Sequence, residues 1–343
     1  MTNTAKNVLV PADDKTFRIC FLYVGQGDAT LLSIPSAEGR KWMLIDCNVD
    51  KKAEGIDLVP LLKDLLDDGL DAFVNTHPHK DHLCGLDCIS EEIDIREVWH
   101  SGFEPKGDHV GTYEKLTDLI EKVGEENTTV LRGTRSEAEI GYVKYDILSP
   151  AEHVSDDIMS GTDDEVNKRI HEHCAVIRFK YGTNEKQVLI TGDADWVAWK
   201  EHITEYHKER LPSTILSAVH HGSRTFFMEK EDDEPYLTHL DKMNSTYLVV
   251  SAPRQSESKH EHPHTVAMNL YKNYFEESNI FHLGENRECV IVDIQEDGAY
   301  SIKTDKELAK TYGFKEEKST SNQNAPINPY TKTQLDRKPM GGQ

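Results

Sequence analysis

The sequence predicts an α/β fold in which two β-sheets form the core and helices cover their outer faces. Short apolar runs of strand length occur in both halves of the 343-residue chain, and helical patterns lie between them. This distribution favours a two-sheet core over a doubly wound parallel sheet. A chain of this length can bury one large core or two modest ones.

The first half is predicted to consist mainly of strands joined by short turns. Apolar residues at helical spacing, followed by a glycine, predict an amphipathic helix at 56–69. The predicted strands of this half are 17–24, 29–35, 41–48, 70–76, 95–102 and 142–150.

The second half is predicted to begin with a charged loop, 151–169, and to continue with strands and two helices. The strands are 174–182 and 186–193 as a hairpin, 214–223 as strand and turn, 245–253, and a closing hairpin of 289–294 and 299–304; the helices are 196–211 and 264–275. We therefore predict an N-terminal extension at 1–16, one folded domain at 17–312, and a polar, disordered tail at 313–343.

The composition limits the classes of function. A formal net charge of -22 argues against a protein that holds nucleic acid through a basic surface. An anionic substrate would need a local cationic site. The sequence has no apolar run long enough for a membrane helix and no signal-peptide pattern at its start. Six cysteines without a CxxC pair fit a reducing cytoplasm, which is the predicted location.

The segment "NTHPHKDHLCGL" (75–86) crowds His77, His79, Asp81 and His82 into one short loop after an apolar strand. Two histidines at i and i+2 in an extended segment point the same way, and Pro78 favours that extended shape. Asp81 and His82 follow one turn later and can face the position of a second metal ion. Imidazole nitrogen and carboxylate oxygen are zinc ligands, so the loop predicts a metal site rather than a chance cluster.

The turn "VGQGDAT" is a weaker signal. Gly25 and Gly27 lack a third glycine at the offset of a dinucleotide fingerprint, and a strand follows the turn where that fingerprint needs a helix. A nucleotide-binding role for this turn is therefore not predicted.

Several motifs together resemble a known family. "THPHKDHLCG" resembles the HxHxDH motif of the metallo-β-lactamase superfamily, and "LID" with Asp46, "LITGD" with Asp193 and "VHHGS" with His220 and His221 match in order. With "FLYVGQGDAT" and "HPH", the chain is similar over residues 17–300 to the metallo-hydrolase domain of ComEC-type competence proteins, in a soluble standalone form. The resemblance implies a four-layer αββα sandwich.

The resemblance also implies a ligand set for two divalent metals, with Zn²⁺ preferred and Mn²⁺ as the alternative. His77 and His79 would bind the first metal, Asp81 and His82 the second, and Asp193 would bridge them. His173 is preferred over His171 as the remaining ligand of the first site. His220 is preferred over His221 as the remaining ligand of the second.

Other residues are predicted to support the reaction. The catalytic candidates are Asp81 and His264. For His264 the reason is that a histidine within reach of a leaving oxygen can donate a proton. The candidates for substrate contact are His221, Ser223, Arg224 and His262; Asp28 and Asp46 are predicted to hydrogen-bond the histidine loop.

The resulting hypothesis is a dinuclear hydrolase that cleaves phosphodiester bonds with a metal-bridging hydroxide. The ComEC-type resemblance points to a DNA or RNA nuclease, aided by protein partners that supply basic surface. The alternatives are hydrolysis of a small phosphodiester, such as a cyclic nucleotide or a choline-phosphate ester, and a non-catalytic metal-bound scaffold. No membrane association is predicted.

Overall fold

Two β-sheets pack face to face, which confirms the predicted two-sheet α/β fold. The computed structural model describes residues 4–107, 110–158 and 161–315. The first sheet comprises β1 (Phe17–Phe21), β2 (Thr30–Ile34), β3 (Lys41–Ile45), β4 (Leu70–Asn75), β5 (Ile95–His100), β6 (Thr128–Val130), β14 (Cys289–Ile294) and β15 (Tyr300–Asp305). The second comprises β7 (Ala138–Ile140), β8 (Val143–Ser149), β9 (Val176–Tyr181), β10 (Lys186–Ile190), β11 (Ile215–Ser217), β12 (Tyr247–Val250) and β13 (Ile280–His282).

Each sheet has an antiparallel part and a parallel part. The first has the strand order β15-β14-β1-β2-β3-β4-β5-β6, with parallel pairing from β3 to β6. The second has the order β13-β12-β11-β10-β9-β8-β7, with parallel pairing from β10 to β13. Parallel strands end at the same edge of a sheet, so the loops that follow β3 and β4, and those that follow β10 and β11, lie close together.

Helices cover the outer faces of the sheets, as in a four-layer sandwich. They are α1 (Thr4–Leu9), α2 (Leu58–Leu65), α3 (Lys80–Leu83), α4 (Leu86–Glu92), α5 (Val110–Val123), α6 (Glu152–Ile158), α7 (Asp163–Lys168), α8 (Thr238–Met243), α9 (Thr265–Tyr271), α10 (Leu283–Asn286) and α11 (Glu307–Tyr312). Within the described ranges, no helix has the length and apolar character needed to cross a bilayer.

The apolar core has two main parts. One fills the space between the sheets, where the rings of Phe17 on β1 and Phe179 on β9 lie 6.2 Å apart. The other lies on the outer face of the second sheet, around the fully buried Trp199 and Tyr271. Both sheets therefore rest on apolar layers that fix the positions of their loops.

The predicted helix at 196–211 is wrong in extent. The chain forms one widened π-helical turn, Ala198–Ile203, and a separate 3₁₀ turn, Lys208–Arg210. Thr204 N–H donates to the carbonyl oxygen of Trp199, a spacing of five residues. The wide turn accommodates the indole of Trp199, which is fully buried and donates to the carbonyl oxygen of Ala194.

The N-terminal extension takes part in the fold. Ala5 and Leu9 of α1 are buried, and α1 packs against α2 and α11. The backbone N–H of Ala5 donates to the hydroxyl of Tyr312. The predicted tail lies outside the described residues from position 316 onward.

His239 on α8 makes the stability of this core depend on pH. Its ring stacks on Phe226 with 3.9 Å between centroids, and Nε2–H donates to the carbonyl oxygen of Phe226. Burial lowers the pKa of His239 to about 3. As the pH falls below about 6.5, the imidazole of His239 is therefore protonated in the unfolded chain before it is protonated in the folded chain. The free energy of unfolding decreases as the pH falls.

Replacing His239 with Phe should keep the stacked ring and remove this titration. The free energy of unfolding of the natural chain should fall between pH 7 and pH 5 by about 2 kcal/mol more than that of the variant. Urea titrations of both proteins at the two pH values measure the difference. Equal pH dependence in the two proteins would contradict the expectation.

Candidate metal centre

The histidine-rich loop begins at the carboxyl end of β4. Thr76 and His77 follow the strand directly and are fully buried. His79 is the N-cap of α3, a single helical turn that carries Asp81 and His82. The loop after β3 reaches the same edge, because β3 is parallel to β4. The loops after β10 and β11 bring Asp193 and His221 to the same place from the second sheet.

A first group of metal-ligating atoms comes from His77, His79, His171 and Asp193. One atom of each lies within 4.8 Å of every other. His79 Nδ1 lies 3.1 Å from His77 Nε2 and 3.1 Å from His171 Nε2. Zinc–nitrogen bonds of about 2.0–2.1 Å place tetrahedral ligand nitrogens roughly 3.3 Å apart. The spacing of this group therefore fits one metal ion.

A second group comes from Asp28, His82, Asp193 and His221, again within 4.8 Å of one another. The Nε2 atoms of His82 and His221 lie 3.3 and 3.5 Å from Asp193 Oδ1. Asp81 Oδ2 lies 3.5 Å from His221 Nε2. This mixture of imidazole and carboxylate atoms also suits a divalent metal.

Asp193 belongs to both groups. Its Oδ1 atom faces the second group, and its Oδ2 atom lies 3.5 Å from His77 Nε2 and 3.8 Å from His171 Nε2. The carboxylate is buried, and neither oxygen has a hydrogen-bond partner among the described residues. An unpartnered buried carboxylate is costly unless cations neutralise it. Asp193 therefore fits a bridge between two metal ions.

The rings of the second group are oriented by hydrogen bonds on their far side. His82 Nδ1–H donates to Asp46 over 2.7 Å, and His221 Nδ1–H donates to the carbonyl oxygen of Ser251 over 3.0 Å. In the neutral ring, which is the form that binds a metal, each bond leaves the lone pair on Nε2. Both Nε2 atoms are buried without a hydrogen-bond partner in the described structure. These orphaned acceptors are the arrangement expected of metal ligands held by supporting groups.

Asp46 holds the histidine-rich loop in place through hydrogen bonds. It accepts hydrogen bonds from the backbone N–H and the hydroxyl of Thr76 and from the side-chain amide of Asn75, as well as from His82. Burial raises the pKa of Asp46, and the contacts with His82 and Thr76 oppose that shift. Asp46 thus lies where these hydrogen bonds can hold the histidine loop.

The protonation states of Asp193, His82 and His221 depend on one another. Burial opposes protonation of His82 and His221, yet Asp193 and the neighbouring carboxylates raise the pKa of both rings well above its usual value. Burial would also raise the pKa of Asp193, but the surrounding histidines hold it well below its usual range. In the metal-free protein, protonated His82 and His221 thus balance the negative charge of Asp193, and metal binding would release their protons.

The "VGQGD" turn approaches this loop closely at Gly27. A Cβ atom there would lie 2.3 Å from the carbonyl oxygen of Asp81, and its φ of 135° is unfavourable for other residues. The adjacent Asp28 N–H donates to the same carbonyl oxygen. The glycine therefore lets the turn bring Asp28 into the second group.

A cavity of about 770 Å³ opens over the two groups. Its polar lining includes Lys80, Arg224 and His262. Pro105 and Ile170 contribute apolar surface. A cavity of this size lies within the range of small-molecule and cofactor sites.

Comparison with known families identifies the group to which this fold and site belong. The family model of the metallo-β-lactamase superfamily matches residues 22–233. The chain belongs to the metallo-β-lactamase superfamily. Most members of this superfamily are metal-dependent hydrolases. No curated protein matches the chain.

Solved structures with this superfamily fold are distant in sequence. The metallo-β-lactamase fold protein YhfI from Bacillus subtilis is 11% identical, with a TM-score of 0.44, and the match covers 84% of this chain and 100% of YhfI. CmlA, a diiron β-hydroxylase from Streptomyces venezuelae, is 13% identical with a TM-score of 0.44, covering 79% of this chain and 53% of CmlA. A diphosphatase of the PhnP family is 14% identical with a TM-score of 0.38, and the match covers 75% of this chain and 81% of the diphosphatase.

Most of the superfamily-type ligands predicted from the sequence lie together. His77, His79, Asp81, His82 and Asp193 surround the two groups described above. Asp28 was predicted as a support, but the structure places its carboxylate within the second group itself.

The structure favours His171 over the predicted His173 in the first group. Residues 169–173 form a turn in which His173 N–H donates to the carbonyl oxygen of Arg169. Residues two apart in such a turn face different sides, whereas in an extended strand they would face the same side. His171 therefore reaches Asp193, and His173 packs against Phe103 with 5.7 Å between ring centroids.

The structure also favours His221 over the predicted His220 in the second group. Both have left-handed backbone conformations, with φ values of 50° and 56°, so the chain turns sharply after β11. The turn directs His221 inward. His220 lies nearer the cavity, with its Nε2 3.4 Å from Asp193 Oδ2 and its ring 4.4 Å from that of His171.

The remaining predicted residues, Ser223, Arg224, His262 and His264, line the cavity. His264 is the N-cap of α9, as its position before an apolar helix predicts. Sequence reasoning missed Gln26, whose side chain contacts His262. Its place between the two glycines of "VGQGD" was the available signal, but a neutral amide does not indicate chemistry by itself.

Proposed function

We propose that this chain is a two-metal hydrolase of phosphodiester bonds. His77, His79, His171 and Asp193 would hold one ion, and Asp28, His82, His221 and Asp193 the other, with Asp81 beside the second; Zn²⁺ is preferred and Mn²⁺ is the alternative. When bound, the metals supply Lewis-acid activation of water and neutralisation of developing negative charge. The shared, unpartnered carboxylate of Asp193 is the observation that carries the two-metal centre.

Two unpaired cations at the cavity support a phosphoryl substrate. Lys80 and Arg224 line the cavity, and no carboxylate of the described residues lies within 4.0 Å of either. The buried Nε of Arg224 also lacks a hydrogen-bond partner there. In a chain with a net charge of -22, nearby carboxylates are plentiful, so cations left unpaired at a site favour an anionic ligand.

His264 has the geometry of a proton donor to the leaving oxygen. Its Nδ1 accepts a hydrogen bond from the backbone N–H of Arg224 over 3.0 Å. The hydrogen of the neutral ring is then on Nε2, on the opposite edge. The ring lines the cavity beside Arg224, which would bind a phosphoryl oxygen of the same substrate.

Nucleic acid is the first substrate class to test, because the ComEC-type motifs favour it. The acidic surface would then require partner proteins or local cations to bring the strand to the site. A small phosphodiester is the second candidate. The cavity of about 770 Å³ and the charge of -22 favour it. We propose that either reaction takes place in the cytoplasm.

A substrate panel tests this function. The protein is loaded with Zn²⁺ or Mn²⁺ and assayed on plasmid DNA, single-stranded DNA, RNA, a cyclic nucleotide and bis-p-nitrophenyl phosphate. We expect hydrolysis of the synthetic diester and of at least one biological class. Cleavage of polymers supports the nuclease, and cleavage of the cyclic nucleotide alone supports the second candidate. A folded, metal-loaded protein that cleaves none would contradict the proposal and favour a scaffold.

Within this panel, Arg224→Gln isolates the role of the guanidinium. Loss of a charge-assisted hydrogen bond worth about 1.5–3 kcal/mol predicts a kcat/KM that is about 10–100-fold lower. Arg96→Gln is the matched control, since Arg96 forms an exposed pair with Asp71 outside the cavity. Equal activity of the two variants would count against phosphoryl binding by Arg224.

A further inference from the structure

Three side chains connect the "VGQGD" turn to the "HPH" segment. Ser258 Oγ–H donates to Gln26 Oε1 over 2.7 Å, and Gln26 Nε2 lies 3.2 Å from His262 Nδ1. Gln26 and His262 are 236 positions apart in the sequence. The contact therefore joins the two motifs through Gln26 and His262, which belong to neither metal group.

The direction of each hydrogen bond in this chain is fixed. Ser258 Oγ accepts from the backbone N–H groups of His260 and His262, so its own hydrogen is available for Gln26 Oε1. The amide of Gln26 then presents its nitrogen to His262. An amide nitrogen donates and cannot accept, so Nδ1 of His262 is the acceptor. The neutral ring consequently carries its hydrogen on Nε2.

The backbone of Gln26 is also held in place. Its carbonyl oxygen accepts from the side-chain amide of Asn48 over 2.6 Å, and its N–H donates to Asp50 over 3.3 Å. His262 itself is buried, with 5% of its surface exposed. A fixed amide beside a buried ring allows the ring little freedom to rotate or to change its tautomer.

The opposite edge of the ring faces the proposed active site. His262 lines the cavity, and no described residue forms a hydrogen bond with its Nε2. The ring centroid lies 5.2 Å from that of His220 and 4.7 Å from that of His264. A hydrogen-bond donor without a protein acceptor at this place suits an oxygen of the substrate.

We propose that Gln26 is a positioning residue that holds His262 as an Nε2–H donor to a phosphoryl oxygen of the substrate. This inference rests on the proposed phosphodiesterase function. It gives the polar turn "VGQGD" a task in substrate recognition: Gly27 permits the close approach, Asp28 joins the second metal group, and Gln26 orients a ring on the cavity wall. The orientation makes His262 a donor, whereas the metal-group histidines His82 and His221 present lone pairs.

Gln26→Met tests the inference, because methionine keeps the size of the side chain and removes the amide. Loss of one oriented hydrogen bond, worth about 0.5–1.5 kcal/mol, predicts a fall in kcat/KM of up to about tenfold on the best phosphodiester of the panel. Zinc content should not change, since Gln26 is not a predicted ligand. Gln255→Met is the matched control, because Gln255 contacts Glu261 and Thr265 of the same segment but not His262.

A spectroscopic readout separates positioning from a merely structural role. Long-range ¹H–¹⁵N correlation spectra of the zinc-loaded protein distinguish the two neutral imidazole tautomers, and His262→Gln assigns the signal by its disappearance. We expect the Nε2–H form for His262 in the natural chain and in Gln255→Met, and a mixture of tautomers in Gln26→Met. If the His262→Gln variant fails to fold, Gln26→Met and inorganic phosphate provide a second measurement: added phosphate should shift the Nε2–H signal of the natural chain more than that of Gln26→Met.

The outcomes distinguish this inference from the function on which it rests. An Nδ1–H tautomer in the natural chain, or unchanged kcat/KM and an unchanged spectrum in Gln26→Met, would overturn the inference while the phosphodiesterase activity stands. Absence of phosphodiester cleavage by the natural chain would overturn the proposed function, and with it the assignment of the donor to a substrate oxygen.

Discussion

Replacing Asp193 with asparagine is expected to remove most bound metal and to lower phosphodiester cleavage by about 10³-fold or more, because the metals supply several kcal/mol of transition-state stabilisation. Asp193 is the only residue shared by the two donor groups of the described structure. An amide in its place offers one neutral oxygen where a bridging anion is needed. Metal analysis and the phosphodiesterase assay measure the two effects.

Asp195→Asn is the matched control for this substitution. Asp195 lies in the same loop, and its carboxylate accepts from the backbone N–H of Ala198, a contact that an asparagine oxygen can keep. Its carboxylate belongs to neither donor group. We expect the control to retain metal and activity. Full metal content in Asp193→Asn, with the fold verified by circular dichroism, would contradict the bridging role.

Replacing Asp46 with asparagine is expected to weaken metal binding by about 10–100-fold, the usual effect of losing a group that supports a ligand histidine. Asp46 accepts from His82 Nδ1–H and from the Thr76 hydroxyl through the same oxygen. If the amide nitrogen takes that position, it donates to His82 Nδ1. The hydrogen of the ring then moves to Nε2, where the metal requires a lone pair.

Zinc titration in the presence of a competing chelator measures the affinity of Asp46→Asn. Asp57→Asn provides the control, because Asp57 caps α2 and belongs to neither donor group, and asparagine also caps helices well. We expect the control to bind zinc like the natural chain. An unchanged zinc affinity in Asp46→Asn would show that His82 does not depend on this carboxylate for its orientation.

The two-sheet fold and the position of the site could be predicted because their signals are local. The apolar residues of strands predict the run 70–76 and the hairpin of 174–182 and 186–193. The structure forms these strands and buries their apolar side chains in the core. The loop from His77 to His82 carries its donors at adjacent positions. Its place after β4 follows from the same pattern.

The choice between neighbouring histidines could not be predicted, because it depends on backbone conformation. Whether His171 or His173 faces the site is decided by a turn before β9, and whether His220 or His221 does is decided by two left-handed residues after β11. Left-handed φ values are uncommon for non-glycine residues as a class, so the residue types alone do not indicate that these two positions adopt them. Gln26 was missed because its importance depends on a partner 236 positions away.

The metal content of the purified, folded protein tests the central claim most directly. Elemental analysis after exposure to Zn²⁺ or Mn²⁺ and removal of free metal should find about two ions per natural chain, as a site of two linked donor groups requires. Asp193→Asn should retain far less, and Asp195→Asn should match the natural chain. A folded natural chain that retains no metal under these conditions would contradict the account.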